Sequence, residues 1–225
     1  SEGFEPDKTM HALKSESCTA VHGVPTMFSA MLASSEFNGK PIKSLRTGIM
    51  AGSQCPEVLM RRVLYDLGCS EITIAYGMTE TSPISFQSDV NDPVDVRVST
   101  VGRIQPHCEV KIVEDDGSTC AVGQTGELWT KGYLVMKGYW NDTEATQSSI
   151  ENGWMKTGDL ATIDNEGFCR IVGRKKDMVI RGGENIYPAE LEEFLTAQKG
   201  ILEAHVFGIP DEKFGEQLVA WIILE

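Results

Sequence analysis

The chain has 225 residues, 41% hydrophobic and 24% charged, a balance that suits a globular protein with a full core and leaves room for two domains. Lys and Arg number 20 against 33 Asp and Glu, so the net charge is −13, which disfavours nonspecific nucleic-acid binding. No apolar stretch nears the ~18 residues of a membrane-crossing helix.

In chain order, the first third predicts alternating strands and helices. Cys18 to His22 reads as a short strand, and Pro25 starts a helix with Met27, Phe28, Met31 and Leu32 on one face. Leu45 to Met50 is the next strand. Pro56 opens a helix carrying Leu59, Val63, Leu64 and Leu67, which Gly68 stops, and Ile72 to Tyr76 is the third strand. Single helices between strands imply right-handed crossovers and a parallel sheet.

From about Val96 to Gly173 the pattern changes to short β segments: Glu109 to Val113, Glu127 to Lys131, Leu160 to Asp164 and Phe168 to Val172. This predicts an antiparallel barrel or curved sheet without helices. Thr157-Gly158-Asp159 reads as a tight turn, and Asp164-Asn165-Glu166-Gly167 as a hairpin reversal. After the charged run Arg174-Lys175-Lys176-Asp177 come a strand at Met178 to Arg181, a helix from Pro188 to Gln198 burying Leu191, Phe194 and Leu195, and strands at Ala204 to Ile209 and Leu218 to Leu224. The expected organisation is α/β, then β, then α+β: an α/β sheet unit over 1–95, an antiparallel β unit over 96–173, a hinge at 174–177 and an incomplete α+β unit over 178–225. Four charged residues in a row make an exposed joint or an ordinary solvated turn. The change of architecture on either side favours the joint.

Ligands of parallel sheets sit beyond the carboxyl ends of the strands. Three glycine-bearing loops follow the three strands: Gly23-Val24-Pro25, Gly52-Ser53-Gln54 and Gly77-Met78-Thr79-Glu80. Any one glycine is explained by a turn; three loops on one edge point to a ligand. A tyrosine at a strand end, Tyr76, can stack on a base, a threonine hydroxyl can donate to phosphate, and a glutamate can help hold Mg²⁺. Asp159 can accept both hydroxyls of a ribose, or cap its own turn. Arg174 offers a fork of donors to sugar or phosphate oxygens, or pairs with Asp177.

Six cysteines, Cys18, Cys55, Cys69, Cys108, Cys120 and Cys169, contain no C-x-x-C pair, which argues against a zinc site or a disulfide framework and for reduced thiols. The sequon Asn141-Asp142-Thr143 matches a glycosylation acceptor and is expected to be a chance match. A start at Ser1 and an end in the apolar run Leu218 to Leu224 read as cuts at both ends.

The segments AYGMTE (75–80), VMKGYW (135–140), KTGDLA (156–161), GRKKD (173–177), GGENIYPAELE (182–192) and GIPDEKFGE (208–216), with VPTMF at 24–28 upstream, resemble the adenylate-forming superfamily. That superfamily includes acyl-CoA synthetases, firefly-luciferase-like enzymes and peptide-synthetase adenylation domains, and the wording is most similar to fatty acyl-CoA synthetases of the medium-chain type. The resemblance implies a cytoplasmic or, in a eukaryote, mitochondrial-matrix ligase. Its co-substrates would be ATP with Mg²⁺, a small carboxylic acid and coenzyme A, with no nucleic acid as partner. It further implies that Ser53, Gln54, Ala75, Tyr76, Gly77 and Met78 surround the adenine and the acyl carboxylate. Thr79 and Glu80 would be catalytic, Thr79 at phosphate and Glu80 at Mg²⁺, and Asp159 and Arg174 would hold the ribose. Lys176 would be the hinge, Gly182 and Gly183 would flank the coenzyme A tunnel, and Val24 and Met78 would line the acyl pocket. His22 is a weak candidate for the same wall.

Two family features are not found in these residues: the Ser/Thr/Gly-rich phosphate loop ending in Pro-Lys-Gly, and a lysine near the family's C terminus. The expectation is a fragment of a longer ligase that does not adenylate alone, since a missing fixed charge at developing negative charge costs ~10²-fold or more. Exposed sheet edges should also favour self-association. A ligase that loads a carrier-protein thiol and an inactive binding module are the competing expectations.

Overall fold

A computed structural model describes residues 3–224, which form three sheets and six α-helices. In chain order the elements of the first sheet and its helices are α1 (Pro6–Ser15), β1 (Ala20–Gly23), α2 (Pro25–Ala33), β2 (Thr47–Ala51), α3 (Glu57–Tyr65), β3 (Glu71–Gly77), β4 (Ile84–Gln87), α4 (Val94–Ser99) and β5 (Arg103–Ile104). The sheet order is β1-β2-β3-β4-β5, with β1, β2 and β3 parallel as expected and β4 and β5 added antiparallel. The sheet is therefore mixed rather than purely parallel, and it runs on to Ile104. The reversal follows from Thr79–Thr81, a single 3₁₀ turn whose C-cap Ser82 takes a left-handed φ of 54°. So short a link cannot carry a crossover and leaves only an antiparallel neighbour.

Helix α3 shows why this layer is stable. Leu59, Met60, Val63 and Leu64 recur at helical spacing and are all buried. Each fully buried apolar side chain contributes roughly 1.5–3 kcal/mol. Met10 and Leu13 of α1, Phe28, Met31 and Leu32 of α2, and Met50 and Ile72 of the sheet complete the same core. Helix α1 lay outside the expected elements although Pro6 stands in its first turn. Arg97 of α4 is buried, but its guanidinium donates to the Ile72 and Asp92 carbonyls at 2.8 and 3.0 Å, so burial leaves it satisfied.

The second sheet holds β6 (Cys108–Val113), β7 (Gly126–Gly132), β8 (Ile150–Glu151), β9 (Trp154–Ile163) and β10 (Cys169–Arg174), ordered β10-β9-β7-β6 with β8 on β9, all antiparallel. Two expectations are corrected here. The region contains a helix, α5 (Thr143–Ser149), capped by the Asp142 carboxylate, which accepts from the Ala145 amide at 2.9 Å. None of its residues is buried, so it has no apolar periodicity to betray it. Thr157-Gly158-Asp159 is also not a turn. It lies inside β9 as a bulge: Lys156 pairs with Trp129 and Leu160 with Glu127, so three residues of β9 face one of β7. Gly158 at φ 72° supplies the left-handed residue that such a bulge requires. The hairpin at 164–167 is as expected, with the Asp164 carboxylate accepting from the Glu166 and Phe168 amides, both at 2.9 Å.

The charged run forms the end of β10 and one exposed 3₁₀ turn, Lys175–Asp177. Beyond it the third sheet, β12-β11-β14-β13, is built from β11 (Val179–Arg181), β12 (Glu184–Ile186), α6 (Pro188–Thr196), β13 (Ile201–Asp211) and β14 (Gly215–Leu224). Phe194 is 64% exposed and Leu191 and Leu195 are only half-buried, against the expectation of burial for all three; Pro188 is the buried residue of the helix. Pro188, Leu191 and Leu195 fall within about 60° on the helical wheel, and Phe194 lies about 60° beyond Leu191 on the far side. Phe207, Ile209 and Trp221 are also exposed and share one face of the β13–β14 ladder by its two-residue period. Among the described residues, no helix is long and apolar enough to cross a membrane.

Candidate functional site

The carboxyl ends of β1, β2 and β3 release the three glycine-bearing loops on one edge of the first sheet. Gly52, at φ 92°, lies close enough to Val24 that an added Cβ would stand 3.1 Å from its Cγ1, which joins the first two loops. Val24, Ser53 and Gln54 are exposed there, and so is His22 on β1. In the third loop a Cβ on Gly77 would run into the Pro83 carbonyl, so the turn closes only around glycine. Thr81 pins that turn: its hydroxyl accepts from the Met78 amide at 3.2 Å and lies within hydrogen-bond reach of the Met78 and Pro83 carbonyls at 3.1 and 3.0 Å. Thr79 is left exposed and Glu80 half-buried.

The two sheets meet at Asp159. The Tyr76 hydroxyl at the end of β3 donates to Asp159 Oδ2 at 2.5 Å, and the Arg174 Nε stands 3.5 Å from Oδ1. Arg174 and Asp159 are register partners on β10 and β9, so the ion pair is set by strand pairing. Arg174 thus pairs with Asp159 rather than Asp177. The bulge turns the Asp159 side chain toward Tyr76, and its amide donates to the Thr157 hydroxyl at 3.1 Å. Burial pushes the Asp159 carboxyl up from its ordinary value of 3.8, against the Tyr76 hydrogen bond and the Arg174 charge, which pull it down. Burial and the neighbouring carboxylate push the Tyr76 phenol up as well, so it stays a protonated donor. The Tyr76 ring meets Phe86 edge to face at 6.2 Å. Its side chain is thereby fixed at both ring and hydroxyl.

Other side chains at the site were not singled out in the sequence. Glu127 Oε1 accepts from the Gly158 amide at 3.3 Å and stabilises the bulge, while Lys175 bridges Glu127 at 3.4 Å and Asp115 at 2.8 Å. Tyr139 donates its hydroxyl to Glu80 Oε1 at 2.8 Å. Lys176 is exposed in the 3₁₀ turn. Gly182 and Gly183 lie in the third sheet at the β11–β12 reversal, with φ of 62° and 89°, and the Gly182 amide donates to the Phe214 carbonyl at 2.8 Å. The structure therefore joins Tyr76, Asp159 and Arg174 in one cluster and Glu80 with Tyr139 in another. It leaves Lys176 and the glycine pair in separate segments.

A Mg²⁺ ion fits the residues present only in one manner. Glu80 offers one carboxylate oxygen not engaged by Tyr139, beside an exposed threonine, and no group of three or more His, Cys, Asp or Glu side chains gathers as a metal cage among the described residues. Mg²⁺ bound by one carboxylate plus substrate phosphates suits that donor set.

Comparison with known proteins adds the family. The chain is 52% identical over 226 residues to a putative acyl-CoA synthetase, YngI, of Bacillus subtilis (strain 168), covering 99% of this chain and 41% of that protein. It is 42% identical over 224 residues to the mitochondrial medium-chain acyl-CoA ligase ACSF2 of Bos taurus, covering 99% of this chain and 36% of the relative. The chain thus spans about two fifths of the length of the curated relatives it matches. Among solved structures it superposes on o-succinylbenzoate CoA synthetase (MenE) of Bacillus subtilis, in complex with the acyl-adenylate intermediate OSB-AMP. There the TM-score is 0.87 at 34% identity, over 100% of this chain and 45% of that one. The same enzyme has also been solved with ATP and magnesium ion. Residues 1–140 match the family described as AMP-binding enzyme, and the chain belongs to that family.

Proposed function

We propose that this chain is the nucleotide-holding and hinge-bearing part of an ATP-dependent acyl-CoA synthetase acting on a small, medium-chain carboxylic acid. The observation that carries the reading is the Tyr76–Asp159–Arg174 cluster, a part-buried carboxylate held from two sheets beside an open loop edge. Asp159 accepts the ribose hydroxyls and Arg174 donates to sugar or phosphate oxygens. Ser53, Gln54 and residues 75–78 enclose the adenine and acyl carboxylate, and Val24 and Met78 line the acyl pocket. Thr79 donates to phosphate. Glu80 faces the Mg²⁺ ion, which supplies charge neutralisation to the phosphates when bound. Gly182, beside Phe214, and Gly183, with open space at its Cβ position, flank the coenzyme A thiol arm. The first unit, expected over 1–95, extends through the first sheet to Ile104, the antiparallel unit follows to 173, and 178–225 turns relative to them about 174–177 with Lys176 at the pivot. In such an enzyme a carboxylate oxygen attacks the α-phosphorus and the bond to the β-phosphate bridge breaks, releasing pyrophosphate. The thiol sulfur then attacks the acyl carbon and AMP leaves. The residues here bind and orient the reactants, which is where much of the rate originates in such transfers.

The test uses the full-length protein with ATP, Mg²⁺ and straight-chain acids of graded length, offering free coenzyme A in one arm and a phosphopantetheinylated carrier protein in the other. Acyl-CoA formed from the free thiol supports the reading. Product on the carrier alone establishes the carrier-loading alternative, and no thioester in either arm overturns both.

A further inference from the structure

The segment between β7 and α5 crosses from the second sheet to the loop after β3 and grips Glu80 at both ends. The Met136 amide donates to the Glu80 carbonyl at 2.8 Å, and the Tyr139 hydroxyl donates to Glu80 Oε1 at 2.8 Å. Tyr139 is itself held from behind. Its amide donates to the Thr146 hydroxyl at 2.9 Å, and Gly138, at φ 152°, lets α5 approach so closely that a Cβ would stand 2.8 Å from Thr146 Cγ2. Asp142 caps that helix and its own amide returns to the Tyr139 carbonyl at 3.4 Å.

We propose that Tyr139 is a positioning residue for Glu80: its hydroxyl occupies Oε1 and fixes the carboxylate so that Oε2 is presented to the divalent cation that accompanies the nucleotide. This rests on the reading of Glu80 as the cation-facing carboxylate. A purely structural role explains the geometry less well. The Met136–Glu80 backbone bond already ties the segment to the loop whatever the Glu80 side chain does, and Tyr139 is 38% exposed, so its ring adds little core. What only the phenol supplies is the orientation of a carboxylate, and hydrogen-bond partners of ligating carboxylates typically carry 10- to 100-fold in metal affinity.

The experiment compares the full-length wild type with Tyr139→Phe, which keeps the ring. Mn²⁺ binding is titrated by electron paramagnetic resonance in the presence of a nonhydrolysable ATP analogue, and the Mg²⁺ dependence of acid-dependent ATP–pyrophosphate exchange is measured beside it. The expected result is a 10- to 100-fold weaker metal affinity, a matching rise in half-saturating Mg²⁺, recovery of rate at high Mg²⁺, and an unchanged melting temperature. Glu80→Gln should show the same defect, and adding Tyr139→Phe to it should cost nothing further. Unchanged Mn²⁺ affinity in Tyr139→Phe overturns the proposal, as does a fall in melting temperature with the metal dependence intact. Absence of acid-dependent exchange in the wild type sinks the synthetase reading alone, because the Mn²⁺ titration still decides the role of Tyr139.

Discussion

Asp159→Asn should move nucleotide affinity and fold stability in opposite directions. On the proposed reading the ionised carboxylate would accept from two ribose hydroxyls, while the amide would offer a single oxygen that Tyr76 already uses. A hydrogen bond to a charged group contributes roughly 1.5–3 kcal/mol, so AMP should bind about 10- to 150-fold more weakly. Stability follows from the raised carboxyl. Because folding favours the protonated form, the contribution of Asp159 is most favourable below its ordinary 3.8 and is lost as pH rises through the higher folded value. At neutral pH the wild type carries a partly desolvated charge that the amide removes. The lost Arg174 attraction is small, since that guanidinium is 63% exposed and screened. Calorimetric AMP titration of the full-length protein, with melting curves at stepped pH, reads both effects. The variant should melt higher than wild type at neutral pH, and the gap should close on acidification. AMP binding within twofold of wild type, or a variant that melts lower at neutral pH with a gap that does not depend on pH, would refute the ribose-clamp account.

Three further outcomes follow from the geometry. Gly77→Ala must push the Pro83 carbonyl aside and should cost about 1–3 kcal/mol as overpacking does, seen as a lower melting temperature; an unchanged one would mean that the loop opens freely. Lys175→Ala releases Asp115 and Glu127 and should cost less than about 1 kcal/mol while speeding proteolysis within 174–177, an effect that salt should imitate in the wild type. Equal cleavage rates would remove Lys175 as a latch on the joint. Cys55, Cys69 and Cys169 have thiols pushed up to about 12 by burial, so a thiol reagent at mildly alkaline pH should spare them until the protein is denatured; rapid native labelling of any of the three would contradict the packing.

How much could be read from the sequence depended on whether a residue's surroundings were local. The three parallel strands, α2, α3 and the 164–167 reversal were legible because apolar spacing, proline starts and turn residues act over a few positions. The clustering of Tyr76 with Asp159 and Arg174 was legible only as a set of ligand-suited types, since the 2.5 Å hydrogen bond between residues 76 and 159 joins two sheets. The bulge was missed because a positive φ at Gly158 serves a turn or a bulge equally well, and pairing with β7 decides between them. Helix α5 was missed because it buries nothing, and β4 and β5 because four- and two-residue strands leave almost no periodic signal. Tyr139 lay inside a recognised motif, VMKGYW, yet its partner is 59 positions away. A polar tip on an aromatic residue next to Gly138 was the available signal.

The most direct test of carboxylate activation as an acyl-adenylate is the fate of the carboxylate oxygen. The full-length protein is given an ¹⁸O-labelled carboxylic acid, ATP, Mg²⁺ and coenzyme A, and the products are weighed by mass spectrometry. Attack of the carboxylate on the α-phosphorus, followed by thiol attack on the acyl carbon, leaves one labelled oxygen in the AMP phosphate, and that is the predicted result. Label in orthophosphate or pyrophosphate, with AMP unlabelled, would contradict it.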